Sequence, residues 1–254
     1  MRQYAGYATA FLLGGFALAY KIGYRVATRR SEATVSAATS RLPRLLTPAE
    51  FTAALETLRH TIRRCDDFPK PGVVFRDFLP ILASPAIFTT LISALYTTAT
   101  NRFDARIDAV VGLDARGFLL APALAQAYNV PCLVIRKSGK LPGEVVTSAY
   151  DKEYGSDVFA LQVDAWREVV DSVSAAAKAA GAQSSGTPRV LIVDDVLATG
   201  GTLTAAIELI RKVGGHVAGC ICPVGITELE GAERVKEATE APVEVLLKFD
   251  DSME

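Results

Sequence analysis

The chain has 254 residues and a mass of 27.1 kDa, with 27 Lys and Arg against 28 Asp and Glu. That length suits one α/β domain with extensions and buries a sizeable core. A net charge of −1 excludes a global basic field for nucleic acid, and 50% hydrophobic with 22% charged residues excludes a largely disordered chain.

Residues 3–20 carry no charged side chain; Arg2 precedes them, Lys21, Arg25, Arg29 and Arg30 follow, and the first acid is Glu32. The segment reads as a short membrane anchor, a mitochondrial targeting sequence or an apolar N-terminal extension. As an anchor it sits at the lower margin of length, and the basic excess behind it puts the remainder of the chain in the cytosol. A secretory signal fits less well, with one arginine before the apolar run and cysteines after it. Residues 31–44, rich in Ser, Thr and Ala with Pro43, read as a linker. Residues 1–46 are thus expected as an extension, and residues 47–254 as the folded domain, entered at Thr47 as N-cap with Pro48 at the first helical position.

Five β-branched runs follow, at 108–113, 132–135, 189–193, 217–222 and 243–248, separated by helix-like stretches. The alternation predicts an α/β fold, a central parallel sheet flanked by helices. After the third run, Leu203, Ala206, Ile207, Ile210 and Val213 share one helix face, Arg211 and Lys212 fall in the last turn, and Gly214 stops it. Residues 164–188 read as an additional helical excursion and loop, a candidate contact to a partner subunit, with Trp166 as its anchor. Cys65, Cys132, Cys220 and Cys222 lack CxxC spacing, and alternation puts the last two on one face. They are expected as core thiols of a reducing compartment. His60 and His216 have no partner at ligand spacing and read as structural or surface residues.

Ligands of open parallel sheets sit beyond the carboxyl ends of the strands. There is no GxGxxG, and the one Gly-Lys pair, Gly139-Lys140, has Val134 where a Walker A motif needs glycine. A dinucleotide dehydrogenase and a P-loop NTPase are both excluded. The third strand instead runs into Val193-Asp-Asp-Val-Leu-Ala-Thr-Gly-Gly-Thr202. Gly200 and Gly201 allow a close approach, while the amides from Ala198 to Thr202 and the Thr199 and Thr202 hydroxyls converge at a helix N-terminus as a phosphate cradle. Asp194 and Asp195 suit two vicinal ribose hydroxyls. A sugar phosphate is the implied ligand.

This stretch resembles the phosphoribosyl pyrophosphate motif of type I phosphoribosyltransferases. Phe68-Pro-Lys-Pro-Gly-Val-Val-Phe-Arg-Asp77, Gly112-Leu-Asp-Ala-Arg-Gly-Phe118, Ile135-Arg-Lys-Ser-Gly-Lys-Leu-Pro-Gly143 and Tyr150-Asp-Lys-Glu-Tyr-Gly155 are similar, in order, to segments of the adenine phosphoribosyltransferases. The resemblance covers residues 50–163 and 188–248. It implies the type I phosphoribosyltransferase fold with a small hood, and transfer of a phosphoribosyl group to N9 of adenine, giving AMP and pyrophosphate.

By the same resemblance, Val74, Phe75 and Arg76 read the adenine, with Ile226 on its other face; the residues alone leave Phe75 as plain core and Arg76 as a surface ion pair. Asp114-Ala115-Arg116 would form a pyrophosphate loop with a cis peptide between Asp114 and Ala115, Ala115 standing where many relatives have serine. Arg136, Lys137 and Lys140 add phosphate-binding charge. The 140–155 segment resembles a flexible loop that closes over the reaction, with Glu153 matching the catalytic glutamate and Tyr154 the tyrosine beside it. Mg²⁺ is implied, held mainly by substrate oxygens with no dedicated protein cage, as is a cytoplasmic homodimer without nucleic acid. Two alternatives remain: a phosphoribosyltransferase for another base, and a non-catalytic phosphoribosyl pyrophosphate sensor, although residues 1–46 lack the pattern of a winged helix.

Overall fold

The computed structural model describes residues 43–103, 106–152, 155–181 and 186–250. The apolar segment at 3–20, most of the linker, Glu153 and Tyr154 lie outside the described residues. The body opens with α1 (Pro48–Thr61), whose start is a capping box: Thr47 Oγ1 accepts the Glu50 amide, and the Glu50 carboxylate accepts the Thr47 amide at 2.9 Å. The residues just before it are already tied down, since the Arg44 and Leu46 amides donate to Ser93 Oγ and Thr97 Oγ1.

A small antiparallel pair follows, β1 (Arg63–Cys65) with β2 (Phe75–Asp77), and then α2 (Pro85–Arg102). The main sheet is built from β3 (Ala109–Leu113), β4 (Cys132–Lys137) reached through α3 (Ala121–Tyr128), β5 (Val145–Lys152) and β6 (Gly155–Gln162). After α4 (Val163–Ala179) come β7 (Arg189–Val193), the short β8 (Val196–Leu197), α5 (Gly201–Lys212), β9 (His216–Ile226), α6 (Gly231–Thr239) and β10 (Val243–Phe249). The spatial order is β10-β9-β7-β3-β4-β6-β5, with β8 on β9. The five strands expected from the sequence are all present and mutually parallel. Their chain order, second-first-third-fourth-fifth across the sheet, reverses between β3 and β7, which creates the crevice where such sheets bind ligands.

Helices cover both faces of this sheet. Val111, Ile192 and Cys220 meet Trp166 and Val169 of α4 and Leu203, Ile207 and Ile210 of α5 on one side. Val110, Leu191 and Ile221 meet Leu58 of α1, Leu95 of α2 and Leu124 of α3 on the other. The end of α5 is as expected: Gly214, at φ +82°, donates to Arg211 O, and Gly215 donates to Ile210 O. Cys220 and Cys222 are buried on one face, whereas Cys65 is half-buried and Cys132 exposed, so only two of the four thiols belong to the core; all four are free.

Two segments differ from, or sharpen, the sequence reading. The segment read as a covering loop is a strand over Val145–Lys152, paired antiparallel with β6, which joins the sheet by Arg136↔Ala160 and Lys137↔Phe159. The sheet is therefore mixed at this edge. The excursion after β6 is the amphipathic helix α4, anchored within its own chain. Trp166 is buried, its Nε1 donates to Val213 O at 2.9 Å, and its ring fills the space beside Gly215.

Candidate active site

A cavity of about 830 Å³, of the size that holds a small-molecule ligand, opens at the carboxyl ends of β3 and β7. It gathers Asp114, Ala115 and Arg116 after β3; Asp194, Asp195, Ala198 and Thr202 after β7; Val74, Phe75 and Arg76 from the β1–β2 unit; Lys137 from β4; and Ile226 from β9. Thr199, Gly200 and Gly201 belong to the same loop without lining the cavity, and neither Arg136 nor Lys140 lines it. The reason for the split between Arg136 and Lys137 is the pleat, since consecutive strand residues point to opposite faces. Arg136 serves Asp114 instead, with Nε 3.1 Å from its carboxylate, and lays its guanidinium over the Phe118 ring.

The loop from Asp194 to Thr202 owes its shape to two features. Gly200 takes φ +86° as the N-cap of α5, a conformation that glycine adopts without steric cost, and no side chain caps the helix there. The first amides of α5 therefore have no side-chain partner at the cap. Gly201 has no positive φ, and a Cβ there would meet nothing within 4 Å, so protein packing does not require its missing side chain, which leaves space on the ligand side. Gly117 marks the tightest approach between the two loops, since a Cβ on it would lie 2.5 Å from Val193 O and 3.3 Å from Asp194 Oδ1. The Asp114–Ala115 peptide is cis.

Electrostatically the centre is an acid pair under a guanidinium. Asp194 and Asp195 are both buried, and Asp194 Oδ1 accepts the Asp195 amide at 3.0 Å. Burial drives Asp194 well above the usual carboxylate range, and the charge of Asp195 adds to the effect. Burial also raises Asp195, while Arg116 pulls it back. Arg116 Nε lies 2.9 Å from Asp195 Oδ2, too far off line for a hydrogen bond, so that oxygen keeps its acceptor capacity. The same guanidinium stands 5.3 Å from the centroid of Phe75, a half-buried ring on the cavity wall. Arg76 is buried, its guanidinium 4.5 Å from the Phe249 ring, which differs from a surface ion pair.

Six further lining residues escaped the sequence reading: Gly72, Val73, Phe159, Val196, Glu228 and Leu229. Glu228 and Leu229 were within reach, because they follow Ile226 at the end of the same strand. Phe159 carries no local signal; it enters only because β6 pairs with β4.

The phosphoribosyl transferase domain family matches residues 79–247. Human adenine phosphoribosyltransferase is 40% identical over 181 residues, which cover 71% of this chain and 91% of that protein. Among solved structures, adenine phosphoribosyltransferase from Saccharomyces cerevisiae, complexed with an imino-altritol bisphosphate and adenine, aligns at TM-score 0.65 with 34% identity over 77% of this chain and 99% of that one. The APRTase of Giardia lamblia, complexed with 9-deazaadenine, aligns at 0.61 with 30% identity over 77% and 97%. With the family match running from residue 79 to residue 247 and a relative 40% identical over most of its own length, the chain belongs to the adenine phosphoribosyltransferases, a family of transferase enzymes.

Proposed function

We propose that the switch-point cavity binds phosphoribosyl pyrophosphate and adenine together and displaces pyrophosphate from C1′ by N9 of the base, giving AMP as a purine-salvage step. The observation that carries this reading is the uncapped N-terminus of α5 beside a buried acid pair, one anion site and one diol site on a single loop. The 5′-phosphate sits on the amides from Ala198 to Thr202 with the Thr199 and Thr202 hydroxyls, over Gly200 and Gly201. Asp194 and Asp195 accept the ribose hydroxyls. Adenine lies between Phe75 and Ile226, with the Val74 and Arg76 backbone at its edge. The relatives bound to adenine and to 9-deazaadenine support that assignment.

Bond breaking builds oxocarbenium character on the sugar and charge on the leaving group, so the site must hold both and exclude water. Arg116, the amides of Asp114 and Ala115, and Lys137 face the pyrophosphate. Arg136 holds Asp114, and Lys140 adds charge at the rim. Mg²⁺, when bound, supplies charge neutralisation on the pyrophosphate. The residues fit it: Asp195 Oδ2 is a buried oxygen without an aligned donor, and Asp194 lies beside it. These two carboxylates would steady the ion and its waters, with substrate oxygens as the main ligands; among the described residues no group of three or more His, Cys, Asp or Glu gathers around one point. Glu153, beside Tyr154, hydrogen-bonds the imidazole edge of the base and assists proton movement at N9.

The family resemblance supports a homodimer, and four free thiols support the cytoplasm. Residues 1–46 stand as an extension to a 47–254 catalytic domain. Among the described residues no helix is long and apolar enough to cross a membrane; residues 3–20 retain membrane contact facing the cytosol, mitochondrial targeting and an incidental extension as alternatives, which fractionation of the full chain separates. The catalytic reading is tested with Mg²⁺, phosphoribosyl pyrophosphate, and adenine, guanine, hypoxanthine and orotate offered singly. Pyrophosphate release is expected with adenine alone, and Glu153→Gln lowers turnover far more than phosphoribosyl pyrophosphate affinity. Binding without release for any base would establish the sensor instead.

A further inference from the structure

At the amino-terminal ends of β3, β7 and β9, a second cavity of about 560 Å³ is lined by Arg106, Gly186, Thr187, Arg189 and His216. It shares no lining residue with the first cavity, and the run of β7 from Arg189 to Asp194 separates the two by about 16 Å of strand rise. Its residues converge by topology. Arg189 and His216 are register partners on neighbouring strands. Arg106 comes from the segment entering β3, and its Nη2 would lie 3.7 Å from a Cβ placed on Gly186.

Among the described residues the cations there outnumber the acids. Asp108 is spoken for twice: its carboxylate sits 2.7 Å from Arg106 Nε and accepts the Arg189 main-chain amide at 2.9 Å. Arg189 gains no side-chain acceptor from it, and among the described residues its buried Nε has no hydrogen-bond partner. A guanidinium cannot escape by losing its proton, and a native fold rarely leaves a buried charged donor unmatched without a ligand or solvent to serve it. Two forked cations, an imidazole and a hydroxyl around one concavity offer more donors than a carboxylate can accept, and suit an oxyanion with three free oxygens.

We propose that this cleft is a second anion site, which takes the phosphate group of a small phosphorylated molecule at the end of the sheet opposite the active site. Arg189 supplies the half-buried part of the grip, and Arg106, Thr187 and His216 the exposed part. The chain has two histidines, His60 and His216, and both are exposed, so their ring resonances form an internal comparison. The test titrates the full chain with inorganic phosphate at constant ionic strength and follows both rings by NMR, with His60→Gln assigning the signals. The His216 signal is expected to move saturably while His60 stays in place. Arg189→Gln should weaken the apparent affinity by about tenfold or more. Arg106→Gln, at a side chain 57% exposed and safe for folding, should weaken it in the same direction. A His216 signal unmoved up to about 50 mM phosphate, both rings moving together, or a saturable shift that survives in the variants would each overturn the site.

Discussion

Gly117→Ala sets a methyl group against the end of β7. The new carbon would lie 2.5 Å from Val193 O and 3.3 Å from Asp194 Cα, both main-chain atoms that cannot swing aside as a side chain could. Ordinary carbon–oxygen contact needs roughly 0.8 Å more, and β7 is pinned by its pairing with β3 and by the Asp194 amide on Ile221 O. The Arg116–Leu119 turn must therefore give way. Overpacking of this kind costs about 1–3 kcal/mol, or a fall of about 2–4 °C in melting temperature per kcal/mol for a domain of this size. The same displacement carries Arg116 off Asp195, and an ångström at a reacting centre can cost about a hundredfold in rate. Thermal unfolding with steady-state kinetics reads both effects, with kcat/KM for phosphoribosyl pyrophosphate expected to fall much further than stability accounts for. Wild-type melting together with wild-type kinetics would refute the close approach.

Trp166→Ala should lose about 3–5 kcal/mol of stability, while Trp166→Phe, which leaves the buried Val213 carbonyl without its donor, should lose about 1–3 kcal/mol. Both should keep kcat, because α4 contributes nothing to the cavity lining; denaturant melts with initial rates check this, and a kcat loss in the folded phenylalanine variant would contradict it. Asp194 is held above its unfolded pKa, so the folded state binds the extra proton, and this group's contribution to stability declines as pH rises from about 4 through the raised value. Asp194→Asn should flatten that decline in urea titrations between pH 5 and 9, and an unchanged slope would count against the buried proton.

The parallel sheet and its switch point were legible because each of its strands is a β-branched run bounded by turn residues, and burial on both faces permits such runs. The turn from Asp194 to Thr202 was legible because its signal is local, an acid pair and a glycine pair set directly between a buried strand and a helix. Elsewhere the signal was not local. β5 and β6 are strands because each finds the other and then β4, and nothing within 140–155 announces that partner. Phe159 reaches the cavity by the same route. Arg136 and Lys137 look alike in sequence, and the pleat alone separates the residue that lines the cavity from the one that braces Asp114. Cys132 shows the reverse error, an apolar-looking residue at a strand start that the sheet leaves exposed.

Gly200 and Gly231 are 31 positions apart, yet the segment that Gly200 turns and the start of α6 press directly on one another. A Cβ on Gly200 would meet Gly231 O at 2.7 Å, and one on Gly231 would overlap the Ala198 carbonyl. The first residue of α6 thus acts as a backstop for a loop whose ligand it never touches. Neither position takes a side chain without pushing on main-chain atoms of the other segment, Gly231 O in one case and the Ala198 carbonyl in the other, and the positive φ of Gly200 adds to the cost there. The two glycines act as a ratchet on sequence drift, since the first turn of α6 keeps its place only while it stays pressed against the Ala198–Gly200 stretch.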